Sequence, residues 1–142
     1  MSKLDIIECQ GKRAYPPRRS ELTAQFWDAL AEGRFLSTRC DACQKLTFPP
    51  KSFCPHCWNQ AVTWVDVPKK GTVYSSTTVH IAPAIFGHEA PYDVCIVDLD
   101  AGMRIATRLI RRDAHAVQVG TRVELVVLKY EDGPLFAVRA VA

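Results

Sequence analysis

Four cysteines, at positions 40, 43, 54 and 57, fall into two Cys-x-x-Cys pairs with ten residues between them. Such a turn places two sulfurs close enough to share one ion, while amides inside the turn hydrogen-bond the sulfurs and disperse their charge. Two turns complete a tetrahedral four-sulfur shell, so the spacing predicts one structural zinc ion held by Cys40, Cys43, Cys54 and Cys57. The competing chemistry is a pair of redox dithiols. That would need a Cys-x-x-Cys at the end of a strand in a βαβ setting, and the pattern around these pairs is not of that kind. A closed four-sulfur shell leaves no open coordination position, so the ion is expected to hold the fold rather than activate water. His56, inside the second pair, reads as a surface residue. Cys9 and Cys95 have no partner at ligand spacing, and Cys95, within Val94-Cys-Ile-Val, reads as a small buried apolar residue.

Other residues able to do chemistry are scattered. His80, His88 and His115 fall at strand ends or in loops, where a solvated histidine is the default. Asp93, Asp98 and Asp100 surround one strand and its turn, where acidic residues face water or shape the hairpin. There is no glycine-rich phosphate loop, no serine elbow and no His-Glu-x-x-His, so the chain alone is expected to have no activity. The net charge of +3 is mild, and the basic residues come as pairs: Arg18-Arg19, Lys69-Lys70 and Arg111-Arg112. Lys51, between the cysteine pairs, and Lys69 with Lys70, after them, are expected to face one groove suited to a phosphorylated ligand.

The elements that position these residues follow from periodicity. Residues 1–19 show none and are expected to form a poorly structured arm that orders only against another surface. Leu22, Phe26, Trp27 and Leu30 recur at helical spacing, with Ser20 or Thr23 as the cap and Gly33 as the stop. Short strands around Phe35–Cys40, Lys45–Phe48 and Trp64–Val67 frame the cysteine turns as a zinc ribbon. From Gly71 on, five segments rich in Val, Ile, Thr and Tyr read as strands: 72–81, 93–99, 104–110, 122–128 and 135–141. Tight turns at Asp100–Gly102 and Glu131–Pro134 and longer connections elsewhere predict a mainly β fold ending in a five-stranded OB-fold barrel, an SH3-like barrel being the alternative. The expected division is an N-terminal arm and helix (1–33), a zinc ribbon (34–68) and an OB-fold domain (69–142). At 142 residues, 48% hydrophobic and 23% charged, without a run of about 20 apolar residues, the chain is expected to be cytoplasmic and without membrane contact. The aromatics of helix and ribbon, from Phe26 to Trp64, are more than so small a unit is expected to bury, so some should pack on a partner.

Several of these segments together resemble a known family. Phe26-Trp-x-Ala-Leu-x-x-Gly33, Arg39-Cys-x-x-Cys43, Phe48-Pro-Pro, Cys54-Pro-x-Cys57, Trp64, Gly71-Thr-Val-Tyr-Ser, Ala90-Pro-Tyr92 and Val97-Asp-Leu-Asp-x-Gly102 look like the DUF35 proteins, a rubredoxin-like zinc ribbon joined to an OB-fold. The resemblance implies a non-catalytic accessory subunit of a thiolase-type acyl-CoA enzyme, stabilising the catalytic partner and helping to form its CoA site. It implies contacts with that partner through Phe26 and Trp27 on the helix, through the ribbon, and through the 81–92 loop with Phe86 and Tyr92. Acyl-CoA or CoA would be met in the complex, with Lys51, Lys69 and Lys70 as the phosphate contacts. A single-stranded nucleic-acid-binding OB module is the alternative. It would need a basic groove with exposed aromatics, whereas Tyr74, Tyr130 and Phe136 are expected in the barrel's core or rim.

Overall fold

Ser20 caps the predicted helix. Its Oγ accepts the Thr23 backbone N–H at 3.1 Å and Thr23 Oγ1 accepts the Ser20 N–H at 2.9 Å, satisfying two donors that a helix start otherwise leaves open. Helix α1 then spans Glu21–Ala31 and buries Phe26, Ala29 and Leu30. Gly33 ends it at φ +85°, where a Cβ would lie 3.0 Å from the Leu4 carbonyl oxygen. A computed structural model describes residues 3–110 and 117–141, and the Arg111-Arg112 pair and His115 lie outside the described residues.

The arm expected to order only against another surface finds that surface in its own barrel and carries a strand. Asp5–Glu8 forms β1, parallel to β8 (Arg122–Tyr130) in the register Asp5↔Val126 to Glu8↔Lys129. The cause lies in β8. Its first residues pair with β5 (Lys70–Val79) only as far as Glu124, and the edge beyond is open to another strand, which β1 supplies. Leu4, 2% exposed, anchors the arm in the core, and Arg13 bonds the Asp132 and Pro134 carbonyl oxygens at 2.8 and 3.2 Å.

Two sheets follow. β2 (Leu36–Cys40) lies between β3 (Leu46–Thr47) and β4 (Val62–Asp66), all antiparallel, and makes the ribbon. The barrel is closed in the order β8-β5-β6-β7-β9-β8, with β6 at Tyr92–Leu99, β7 at Arg104–Ile110 and β9 at Gly133–Ala140. A parallel pairing of β7 with β9 shuts it, which is the five-stranded closed OB arrangement. Gly71 on β5 passes so close to β6 that a Cβ would stand 2.7 Å from the Asp98 carbonyl oxygen and 2.8 Å from Val97 Cγ1. Only glycine fits there without a shift.

One hydrophobic cluster runs through helix, ribbon and barrel, from Phe26 and Leu30 through Phe35 and Val67 to Val97, Val123, Leu125 and Val138. Four phenylalanines from helix, ribbon and barrel meet in it, Phe26 and Phe35 buried and Phe48 and Phe136 half-buried against them, with ring centroids 5.3 to 6.1 Å apart. Each such pair contributes about 0.5–1.5 kcal/mol beyond the area it buries. The expected surplus of surface aromatics is therefore largely absorbed by the barrel, which the helix and ribbon share as a common core. Trp58, 73% exposed, is the exception. Among the described residues no helix is long and apolar enough to cross a membrane.

Candidate metal centre and the adjoining cleft

The two cysteine turns have the same backbone construction. In the first, the Gln44 N–H bonds the Cys40 carbonyl at 2.9 Å and the Cys40 N–H bonds the Lys45 carbonyl at 3.0 Å. The second repeats this, with Trp58 to Cys54 at 2.8 Å and Cys54 to Asn59 at 2.8 Å. The residue after each second cysteine, Gln44 or Trp58, takes φ +65°, the left-handed conformation that turns the chain back. Within the turns, the backbone N–H groups of Ala42 and Cys43 point at Cys40 Sγ (3.4 Å each), and that of His56 at Cys54 Sγ (3.3 Å).

All four sulfurs lie within 4.8 Å of one another, with Cys40–Cys57 at 3.5 Å and Cys43–Cys54 at 3.6 Å. A tetrahedral zinc with bonds of about 2.3 Å would hold its sulfurs about 3.8 Å apart, so the cluster has the dimensions of the shell. The Cys40 thiol is lowered to about 7, chiefly by the Cys43 N–H. Cys54 is lowered too: burial opposes the shift, and the Cys57 and His56 N–H groups outweigh it. Cys57 is raised to about 11. The Asn59 N–H pulls it down, but hydrogen bonding to Cys40 and burial overcome that pull. Four thiols on one spot cannot all ionise unaided; a dication lets all four become thiolates. His56 is exposed, and Cys95, 3% exposed, has its thiol pushed up to about 11 by burial, as an unreactive core residue should.

Between the ribbon and the β6–β7 turn lies a cleft of about 600 Å³. Lys51 lines it, with Arg39, Lys45, Leu46, Phe48 and Met103, but Lys69 and Lys70 do not. Lys69 Nζ sits 3.6 Å from Glu124 Oε2 and 3.3 Å from the Lys3 carbonyl oxygen, and Lys70 is exposed on β5. The three lysines do not share one groove, because Lys69, just before β5, is held on the β8 side by Glu124 and by the Leu125 N–H on its carbonyl. Arg39 and Lys45 were missed, although both flank the first cysteine pair; their proximity to Lys51 depends on how β2 and β3 pair.

The residues expected to meet a partner separate in the same way. Phe26 is 3% exposed and committed to the phenylalanine cluster, so it offers no ring to another molecule. Trp27 is half-buried against it, edge-on at 4.9 Å. Phe86, in a 3-10 turn over Ala84–Glu89, lies 6.2 Å from the ring of Tyr92, over which Arg108 stacks at 4.4 Å. Both rings are half-buried at the rim of an exposed apolar run. Asp98 and Asp100 are each held by an arginine, Arg104 and Arg122, and Asp93 accepts the Thr78 hydroxyl at 2.6 Å. Phe136 is half-buried against the core, Tyr130 half-buried and Tyr74 half-exposed beneath Arg104.

Comparison with known proteins gives two family matches: the ChsH2 rubredoxin-like zinc ribbon domain over residues 27–63 and the ChsH2 C-terminal OB-fold domain over residues 64–128. A DUF35 domain-containing scaffold protein of Methanocaldococcus jannaschii is 31% identical over 118 residues, covering 81% of this chain and 84% of that protein. The benzoylsuccinyl-CoA thiolase subunit BbsA of Thauera aromatica is 31% identical over 100 residues, 66% of this chain and 68% of the subunit. Among solved structures, a chain of the Ltp2-ChsH2(DUF35) aldolase superposes with a TM-score of 0.77 at 30% identity, covering 89% of this chain and all of that one.

Proposed function

The chain belongs to the DUF35 family, and from that premise we propose that it is the non-catalytic, zinc-stapled subunit of a heteromeric thiolase-type acyl-CoA enzyme. In this reading the catalytic partner supplies the nucleophile and base, and this chain stabilises it and helps to form its CoA and substrate site. Acyl-CoA or CoA is then met inside the complex, in the cytoplasm, with no activity in this chain alone. The similarity to a thiolase subunit and to a chain of an aldolase complex supports a role as one member of an assembly.

The observation that carries the proposal is the run Ile81-Ala-Pro-Ala-Ile-Phe86. Six apolar residues occupy a loop at the barrel rim, with Ile81 95% and Ile85 47% exposed. Burying one such isoleucine against a partner is worth about 1.5–3 kcal/mol, and leaving it in water gains nothing. With Phe86 and Tyr92 half-buried beside it, this loop, rather than Phe26, forms the contact.

Co-expression with a thiolase homologue tests it. The unaltered chain should co-purify with the catalytic chain, and I81D/I85D should lose at least tenfold in affinity for it while still binding one zinc and unfolding as cooperatively as before. Retention of the complex by that variant would remove the loop from the interface. A chain that stays monomeric beside every such homologue would remove the subunit role.

A further inference from the structure

We propose that Cys57 is a redox-modification site: a peroxide oxidises its sulfur first among the four metal ligands, Cys40 resolves it to a disulfide, and the ribbon gives up its metal. The four sulfurs are housed very unequally. Cys40 and Cys54 are each 1% exposed and Cys43 is half-buried, whereas Cys57 is exposed. An oxidant arriving from solvent therefore meets one sulfur before the others.

The backbone makes the same distinction between Cys57 and the two buried ligands. Cys40 Sγ accepts the N–H groups of Ala42 and Cys43, and Cys54 Sγ those of His56 and Cys57, while Cys57 Sγ has that of Asn59. Each such bond draws electron density from the sulfur it serves and blunts it as a nucleophile. A resolving sulfur is also within reach. Cys57 Sγ lies 3.5 Å from Cys40 Sγ, which belongs to the other turn, so a bond between them ties the two turns to each other in place of the metal.

One peroxide suffices for the whole change. The Cys57 thiolate attacks a peroxide oxygen, the O–O bond breaks, hydroxide leaves, and the sulfur, oxidised by two electrons, becomes a sulfenic acid. The Cys40 thiolate then attacks that sulfur; the S–S bond forms, the S–O bond breaks and a second hydroxide leaves. Two thiolates and one hydrogen peroxide give one disulfide and two hydroxides, each of which takes a proton from the buffer. A disulfide brings no negative charge to a cation, and Cys43 with Cys54 fills only half of a tetrahedral shell. Cys40 is the last residue of β2, so the central strand of the ribbon loses its anchor together with the metal. Cys9 offers no such route: it is half-buried, its thiol is donated to the Ile7 carbonyl, and burial pushes it up.

Neither step depends on the subunit role, and the full zinc-loaded chain serves for the test. Hydrogen peroxide is added in small doses, with dimedone to trap sulfenic acid, a metallochromic dye to read free zinc and peptide mass spectrometry to place each modification. Dimedone should appear on Cys57 before any other ligand. Without dimedone, one zinc per chain should be released in step with a Cys40–Cys57 disulfide, and dithiothreitol with added zinc should restore the shell. C57H, which keeps a tetrahedral shell of three sulfurs and one nitrogen, should release zinc at least tenfold more slowly, and C9S at the unaltered rate. Should C57H fail to hold zinc, the order of dimedone labelling in the unaltered chain decides alone. Dimedone first on Cys40, Cys43 or Cys54, a disulfide that omits Cys57 or joins it to a cysteine other than Cys40, or zinc retained once the disulfide has formed would overturn the proposal.

Discussion

At the scale of single residues, the metal ligands were the most legible part of the molecule, because a Cys-x-x-Cys turn carries its geometry in four consecutive positions. The backbone groups that address the sulfurs lie within three residues of the cysteines they serve. C54S should therefore bring zinc well below one per chain and unfold the ribbon, as should a strong chelator, since binding of a structural zinc is itself folding free energy, about 10–16 kcal/mol in small zinc modules. Metal analysis with far-ultraviolet circular dichroism checks this. The partners of Lys69, Asp98 and Asp100 were not legible, because a sequence does not say which charges a barrel will bring together. Arg104 holds the Asp98 carboxyl below its ordinary value through hydrogen bonds, and Arg122 does the same for Asp100. Both carboxyls are depressed in the folded chain, so their stabilisation is complete above about pH 4 and is lost as pH falls through their folded values. Each is about half-exposed and screened by water, so the effect is small. D98N/D100N should unfold at slightly lower urea than the unaltered chain at pH 7, and the gap should close as the pH drops below 4. Comparing the two proteins at each pH removes the contribution of zinc release, which they share.

At the scale of elements, helix, ribbon strands and barrel strands could be found from periodicity and turn residues, because each pattern is local. β1 could not. Asp5–Glu8 is short, shows only two apolar residues between acidic ones, and owes its existence to an open edge of β8 more than a hundred residues away. For the same reason the arm's importance is concentrated in Leu4, which no pattern singled out. L4A should cost about 2–5 kcal/mol, as for other large-to-small changes in a core, whereas I6A, at a position 42% exposed, should cost far less. Urea denaturation of the two variants separates a docked strand from a loose tail: equal, near-zero effects would mean that the arm is not part of the fold.

At the scale of the whole molecule, the phenylalanine cluster explains why counting aromatics misjudged the surface. Phe48 and Phe136 come from ribbon and barrel, and their burial beside Phe26 depends on how the units are docked. What the docking leaves outside is the apolar rim at Ile81–Phe86 and the cationic cleft beside the ribbon. The proposed subunit role accounts for both, as surfaces that would meet a catalytic partner and its ligand. The most direct test is native mass spectrometry of the tagged chain purified from its own cells. The account predicts a stoichiometric complex with a thiolase-type catalytic chain, one zinc per copy of this chain and acyl-CoA activity only in the complex; a monomer free of any catalytic chain, or one active on acyl-CoA by itself, would contradict it.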